Sequence, residues 1–174
     1  MLEVEHSPPS EVLTFGKANR AHDHWLQRTV SRVGEHLGAL RDRVLDAAAL
    51  QRHSLVLDLQ AATGLLTWEA LRRVPEGGVW ALTGDPQVAA TLQQQAERLP
   101  EVERPMVLVG DLLHLPDLLR AHGNQEVRFE AAVGRNVLTR CADKTAALTC
   151  IRLCLRPGGR LSLAEVVPRQ AQRL

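Results

Sequence analysis

Carboxylates and histidines that follow short apolar runs are the residues of this chain that could do chemistry. Asp58, Asp85 and Asp111 each lie at or just after such a run, and His114 and His122 follow the third. A carboxylate there can accept hydrogen bonds from a ligand, or it can accept backbone N–H groups and cap the next turn. A histidine could act as a general base, although surface histidines are commoner. The residues indicate a binding site, and they name no catalytic group.

Cysteines and phosphate-binding motifs exclude two other kinds of site. Cys150 and Cys154 lie four residues apart and would share one face of a helix, but two ligands are too few for structural zinc. With Cys141 they make three cysteines, a sparse and odd set that does not resemble a disulfide framework. We therefore expect reduced cysteines and no metal. There is no G-x-x-x-x-G-K-[ST] string, so ATP hydrolysis is not assigned to this chain.

Composition narrows the possible partners. The 174 residues are 45% hydrophobic and carry a formal net charge of +1, which gives no overall attraction to nucleic acid or anionic membrane. Aromatic residues make up 3%, which argues against a base-stacking platform. No apolar run is long enough to span a membrane, and no secretory signal is visible. We expect a cytoplasmic protein with no membrane contact and no direct nucleic-acid signal.

Short apolar runs alternate with helical segments after His53, and this order predicts the elements that position the candidate residues. Asp85 before Pro86 is typical of a helix start, and so is Asp143. The two predicted helices have the inward faces Val88, Leu92, Ala96 and Leu99, and Ala147, Leu148, Ile151, Cys154 and Leu155. The runs are SLVLDLQ, GVWALTG, PMVLVGD, FEAAVG and RLSLAEVV. The pattern predicts an α/β fold, a Rossmann-like, doubly wound, mostly parallel sheet of five strands.

The N-terminal fifty residues have a different character. We expect a flexible tail over residues 1–9, because Pro8 and Pro9 cannot lie inside a helix, and a helical segment over 10–50. Apolar residues at alternating steps of four and three predict a helical seam that packs on the domain's own sheet or, alternatively, on another chain. Gly34 and Gly38 predict a kink or break in this helix. The seam comprises Leu26, Val30, Val33, Leu37, Leu40 and Val44.

The loop after the first strand is where a doubly wound sheet binds its ligand, and here that loop carries a family resemblance. VLDLQAATG, residues 56–64, resembles the first motif of class I S-adenosylmethionine-dependent methyltransferases, hydrophobics-Asp-x-Gly-x-Gly-x-Gly. Gln60 and Ala62 occupy the first two glycine positions, and Gly64 is retained. VLVGDLLHLP, FEAAVGRNVL and LRPGGRLSLAEV resemble later motifs in the same order, so the resemblance spans about 52–168.

The resemblance implies S-adenosylmethionine as a possible cofactor, with Asp111 on the adenine. The implied binding residues are Asp58, Gln60, Ala62, Gly64, Thr83 or Asp85, Asp111, Leu112 and Asn136. Glycine lets backbone approach a ligand and adopt positive φ, so Gln60 and Ala62 predict a degenerate loop in which binding is reduced or lost. Thr83 stands where the family has a ribose-binding acid. Asp58 could instead brace the loop, Asp85 could cap a helix, and Asp111 could cap a turn.

Two stretches resemble a more particular protein class. GLLTWEALRRVPEGGVWA at 64–81 and AEVVPRQAQRL at 164–174 look like the methyltransferase-like domain fused to a clamp-loader-type AAA+ ATPase related to the recombination factor RarA. This implies an accessory domain, within 51–174, of a larger ATPase of DNA replication or recombination, with the ATPase upstream. The alternatives are an active methyltransferase of unknown acceptor and a non-catalytic interaction module.

The family fold also implies more strands than this sequence supplies. Class I methyltransferases have seven strands, and the run RLSLAEVV is the fifth and last here. We therefore expect either a domain truncated at its C-terminus or a homodimer in which the edge of the fifth strand pairs with a second copy.

Overall fold

The computed structural model describes the backbone of residues 17–166 and the side chains of residues 32–166. It divides into two compact units, one up to Gly38 and one from Ala39 onward, and the second contains the α/β domain. The predicted tail over residues 1–9 and the predicted helix start near Ser10 lie outside the described residues.

Five strands alternate with helices along the chain, as the apolar runs predict. The strands are β1 Leu55–Asp58, β2 Gly78–Thr83, β3 Met106–Val109, β4 Phe129–Arg135 and β5 Leu155–Ala164. The helices are α1 Lys17–Ala48, α2 Leu65–Arg73, α3 Pro86–Ala96, α4 Leu115–Ala121 and α5 Lys144–Cys154. Short 3₁₀ turns cover Glu101–Glu103, Leu112–His114 and Leu138–Arg140.

The five strands form one parallel sheet in the order β3-β2-β1-β4-β5. Consecutive strands step outward from β1 in one direction up to β3, and the chain then crosses back to place β4 on the other side of β1. The strand order therefore reverses between β1 and β4, and a crevice opens there at the carboxyl ends of the strands. The predicted Rossmann-like, doubly wound fold is confirmed.

Apolar side chains on both faces of the sheet explain why its strands read as continuous apolar runs. On one face, Val56 and Val133 pack against Leu45 of α1 and Ala70 of α2. On the other face, strand residues pack against α4 and α5; this cluster includes Leu57, Leu108, Ala132, Leu115 and Ile151. Burial of both faces is what a parallel sheet covered by helices requires.

The apolar seam of α1 packs on the sheet over its C-terminal part. Leu40 is partly buried against the sheet cluster and Val44 is buried within it, whereas Val33 is 53% exposed. Helix α1 runs without interruption from Lys17 to Ala48, so a break at Gly34 and Gly38 is wrong, and the alternative prediction of a kink there stays a prediction. A helix tolerates glycine at a cost of about 1 kcal/mol each, and that cost does not end this one.

Two predicted helix starts are confirmed by their caps. Asp85 Oδ1 accepts the Gln87 N–H at 2.8 Å, and Asp143 Oδ1 accepts the Ala146 N–H at 2.8 Å. The predicted inward face of α5 is wrong at two positions. Leu148 is 41% exposed, because it follows buried Ala147 directly and successive residues of a helix point in different directions. Leu155 is the first residue of β5 and not part of the helix.

Strand β5 is an edge strand that bulges near its start. Leu155 pairs with Phe129, and the next pair along β4 joins Ala131 to Arg160, so residues 156–159 form the bulge. Gly158 allows it with φ 78°. Further along, Ser162 Oγ donates to the Val44 carbonyl at 2.7 Å and ties β5 to α1. Among the described helices, none is long and apolar enough to cross a membrane.

Candidate functional site

The loop after β1 lies at the point where the strand order reverses, and it is fixed to both neighbouring strands. The Leu59 N–H donates to the Val133 carbonyl of β4 at 2.8 Å, and the Ala61 N–H donates to the Leu82 carbonyl of β2 at 2.9 Å. The loop therefore continues the ladders of both sides of the sheet before it turns into α2.

The turn itself needs no glycine at positions 60 and 62. The Ala62 N–H donates to the Gln60 carbonyl at 2.9 Å, which closes a tight three-residue turn. Non-glycine residues with positive φ in the described part of the chain are Ala49 and Asn136, so Gln60 and Ala62 keep ordinary backbone angles. Positive φ is therefore not required at either position of this loop. The steric obstruction by a side chain at each position stays a prediction.

Gly64 is the position of the loop where glycine is required. Its φ is 76°, and a Cβ built there would overlap the indole of Trp68 and lie 3.0 Å from Leu92. The Trp68 indole is held by a 3.1 Å hydrogen bond from Nε1 to Gln95 Oε1. Gly64 therefore shapes the start of α2.

Asp58 braces the loop from below. It is 1% exposed, its Oδ2 accepts the Thr67 hydroxyl at 2.7 Å, and its Oδ1 accepts the Gln60 N–H at 3.2 Å. Burial raises the pKa of Asp58 to about 6, although these hydrogen bonds act to lower it. Thr67, on α2, is a partner that the sequence analysis did not identify.

A first cavity of about 140 Å³, here the switch-point cavity, opens between the ends of β1 and β4. It brings together four of the predicted site residues, Asp58, Gln60, Ala62 and Asn136. The rest of its lining is Thr63, Leu65, Leu66, Arg135 and Arg140.

A second cavity of about 330 Å³, here the β3-side cavity, lies at the ends of β1, β2 and β3. Gln60, Asp111 and Leu112 line it, together with Leu59, Leu82, Gly84, Gly110, Val137, Arg140 and Cys141. Gln60 and Arg140 line both cavities, so these two residues lie between them.

Asp111 caps the turn that follows β3. Its Oδ1 accepts the Leu113 N–H at 2.7 Å and so starts the 3₁₀ turn Leu112–His114. The other carboxylate oxygen accepts no hydrogen bond from the described residues and belongs to a residue that lines the β3-side cavity. Capping and ligand binding are therefore compatible at this position.

Thr83, Asp85 and Gly64 line neither cavity. Thr83 is buried at the end of β2, and its Oγ1 accepts the Asp85 N–H at 3.2 Å. The Asp85 carboxylate is engaged in the cap of α3. The carboxyl end of β2 therefore offers an internally used hydroxyl where the family places an acid.

Asn136 has a structural role beside its place in the switch-point cavity. Its φ is 54°, in the left-handed region that asparagine adopts more readily than most residues. Its Oδ1 accepts the Val166 N–H at 3.1 Å, and its own N–H donates to the Ala164 carbonyl at 2.8 Å. Asn136 therefore joins the end of β4 to the end of β5.

Glu165 and Arg140 are site residues that the sequence analysis missed. The Glu165 carboxylate accepts the N–H groups of Val137, Leu138 and Thr139 at 2.8, 3.0 and 2.9 Å, and the Thr139 hydroxyl at 2.6 Å. Burial acts to raise the pKa of Glu165, but these hydrogen bonds outweigh it and hold the pKa below its usual value. Glu165 thereby fixes the turn that carries Arg140.

Two other kinds of chemistry find no support in the described residues. No group of three His, Cys, Asp or Glu side chains in that part of the chain could hold a metal ion. Burial, with Asp111 and Glu165 nearby, raises the pKa of the Cys141 thiol, which favours the less reactive protonated form. His114 and His122 line neither cavity.

Solved structures share this architecture. Coclaurine N-methyltransferase bound to N-methylheliamine and SAH aligns with TM-score 0.60 at 18% identity, over 72% of this chain and 34% of that one. The [4+2]-cyclase SpnF aligns with TM-score 0.65 at 24% identity, over 77% and 46%. This chain has the class I methyltransferase fold.

The CcbJ methyltransferase from Streptomyces caelestis aligns with TM-score 0.56 at 20% identity, over 71% of this chain and 47% of that one. The alignments thus span about a third to a half of the length of these three proteins. No protein-family model and no curated protein sequence matches the chain. One of the three is named a cyclase, so the methyltransferase fold does not by itself assign methyl transfer.

Proposed function

We propose that this domain is an accessory domain of methyltransferase fold whose S-adenosylmethionine cleft is degenerate. The observation that carries the proposal is the position of Gln60. Gln60 stands in place of the first glycine of the family motif, and it lines both the switch-point cavity and the β3-side cavity, as Arg140 does. A cofactor that extends across the carboxyl ends of β1 to β4 would need both cavities joined.

The end of β2 supports the same proposal. Family members hold the ribose hydroxyls with an acid there, and a carboxylate that accepts two hydroxyl hydrogen bonds contributes more than a neutral group does. Here the Thr83 hydroxyl is buried and accepts the Asp85 N–H, while Asp85 caps α3. The residues present therefore do not fit the whole cofactor, and we assign no methyl-transfer step.

Calorimetric titration of the chain with S-adenosylmethionine and S-adenosylhomocysteine tests the proposal. We expect no binding or millimolar binding by the natural sequence. The variants Gln60→Ala and Gln60→Gly should both improve binding, and by similar factors, because position 60 keeps an ordinary φ and only the side chain obstructs. Improvement by Gly alone would show that backbone freedom matters and would contradict the steric explanation.

The variant Thr83→Asp separates the effect of the missing acid at the end of β2 from the effect of the Gln60 side chain. Combined with Gln60→Ala, it should add about tenfold in affinity, the order expected for a charge-assisted hydrogen bond. Thr91→Asp is the matched control, since it adds the same charge at an exposed position inside α3 and not at the carboxyl end of β2.

An active methyltransferase is the second candidate, and the β3-side cavity favours it. That cavity has a volume of about 330 Å³ and includes Asp111, which has an oxygen free of hydrogen bonds from the described residues. Micromolar binding of S-adenosylmethionine by the natural sequence would support this candidate and overturn the accessory-domain proposal.

We further propose that the accessory domain works within a larger AAA+ ATPase of DNA replication or recombination, with the ATPase upstream in the same polypeptide. The support is the resemblance of residues 64–81 and 164–174 described above. Reading the open reading frame around this sequence tests the proposal. An upstream segment with a G-x-x-x-x-G-K-[ST] motif would support it, and an open reading frame without one would overturn it.

We also propose an interaction site at the outer edge of β5, which no strand within residues 17–166 covers. It lies at the end of the strand order, and Leu161 on it is 38% exposed. An edge of this kind can pair with a strand of a second copy. Light scattering of the chain in solution tests it: a dimer that dissociates on Leu161→Lys supports the proposal, and a strict monomer overturns it.

A further inference from the structure

The switch-point cavity is lined by two arginines that have no partner among the described residues. Arg135 ends β4 and Arg140 ends the turn that follows it, and both belong to the cavity wall. Neither guanidinium forms a salt bridge or a hydrogen bond with a side chain or carbonyl within residues 32–166. Arg52, Arg73 and Arg120 pair with carboxylates, whereas Arg98, Arg152 and Arg160 do not within the described residues and line neither cavity, so it is their place in the cavity wall that sets Arg135 and Arg140 apart.

Two carboxylates that share a cavity lining with these arginines already accept hydrogen bonds from other groups. Glu165 lines the neighbouring cavity together with Arg135 and Asn136, but its oxygens accept the three N–H groups of residues 137–139 and the Thr139 hydroxyl. Asp58, the acidic residue of the cavity lining, is buried and accepts hydrogen bonds from Thr67 and Gln60 through both oxygens. Neither carboxylate forms an ion pair with Arg135 or Arg140, so both guanidiniums keep N–H donors that a ligand could use.

We infer that the switch-point cavity binds a small oxyanion, the phosphate or carboxylate group of a ligand, between Arg135 and Arg140. Two guanidiniums offer paired N–H donors whose geometry matches such groups. Helix α2 adds to this, since it starts at the cavity with Leu65 and Leu66, has no side-chain cap and has no acid in its first turn.

Titration with inorganic phosphate, at constant ionic strength maintained with sodium chloride, tests the inference on the 174-residue chain. We expect saturable phosphate binding by calorimetry and a rise in the thermal midpoint. Arg135→Gln and Arg140→Gln should each weaken binding about tenfold, the order of one charge-assisted hydrogen bond. Arg152→Gln, on the exposed face of α5 and outside the cavity, should leave binding unchanged.

A parallel titration with acetate distinguishes the two ligand groups. Binding of phosphate alone assigns a phosphate group, and binding of acetate extends the assignment to carboxylates. Absence of saturable binding of either anion would overturn the inference, and so would equal weakening by all three variants. Circular dichroism of each variant identifies one that fails to fold. The outcome is separate from the accessory-domain proposal, which depends on S-adenosylmethionine and position 60.

Discussion

Glu165 at the end of β5 and Thr139 after β4 are joined by two hydrogen bonds, one from the Thr139 N–H at 2.9 Å and one from its hydroxyl at 2.6 Å. The same carboxylate also accepts the N–H groups of Val137 and Leu138. One side chain, Glu165, therefore fixes the turn that carries Arg140. This couples the edge of the sheet to the wall between the two cavities.

Glu165→Gln should destabilise the domain by about 1–2 kcal/mol, because an amide accepts through one oxygen where the carboxylate accepts through two with a full charge. Urea unfolding at neutral pH measures the loss. Since hydrogen bonds hold the pKa of Glu165 low, its stabilisation is present above the unfolded pKa and is lost as the pH falls through the folded value. An equal free-energy gap between the natural sequence and the variant at neutral and strongly acidic pH would contradict this.

Asp58 should give a pH dependence of opposite sign. Its folded pKa of about 6 exceeds the ordinary 3.8, so the folded state holds the proton more tightly. The stabilisation is complete below pH 3.8 and is lost as the pH rises through about 6, a change of about 3 kcal/mol. The difference in unfolding free energy between the natural sequence and Asp58→Asn, measured from pH 4 to 7, should fall by that order. A flat difference would show that the pKa is not raised.

Gly64→Ala should be far more damaging than Gly158→Ala. Both glycines have positive φ, 76° and 78°, so each substitution incurs about 1 kcal/mol of backbone strain. At Gly64 the added Cβ also overlaps the Trp68 indole, whereas at Gly158 nothing lies within 4 Å. We expect a loss of at least about 2–3 kcal/mol at Gly64, and urea unfolding of both variants compares them directly. Similar losses would contradict the packing of Trp68 on Gly64.

Arg73 should contribute more to stability than its neighbour Arg72. Arg73 joins α2 to α1 through Asp42 and Asp46 and also pairs with Glu69, and its side chain is 22% exposed. Arg72 pairs with Glu69 alone and is 72% exposed. Arg73→Ala should cost about 1 kcal/mol and Arg72→Ala clearly less, because solvent screens the exposed pair. Thermal unfolding at low and high salt measures both, and a larger loss from Arg72→Ala would refute the order.

Sequence alone predicts the sheet because buried parallel strands are continuous apolar runs, and all five runs became strands. It also predicts Asp85 and Asp143 as caps, since capping is local. The site is harder. Glu165 and Thr139 lie 26 residues apart and meet only because β5 pairs with β4.

The loop shows a second limit of sequence analysis. The missing glycines predict a steric obstruction, which stays a prediction, and the backbone angle at those positions depends on the turn that forms. Here the hydrogen bond from the Ala62 N–H to the Gln60 carbonyl selects a turn that any residue can adopt. The glycine pattern therefore predicts the position of the loop in the fold but not its backbone conformation.

The position of Gln60 can be tested most directly by crystallising the chain in the presence of S-adenosylhomocysteine at high concentration. We predict that no continuous ligand density crosses from the β3-side cavity into the switch-point cavity, and that the Gln60 side chain remains between them. An S-adenosylhomocysteine molecule that spans both cavities, with Gln60 turned aside, would contradict the proposal of a degenerate cleft.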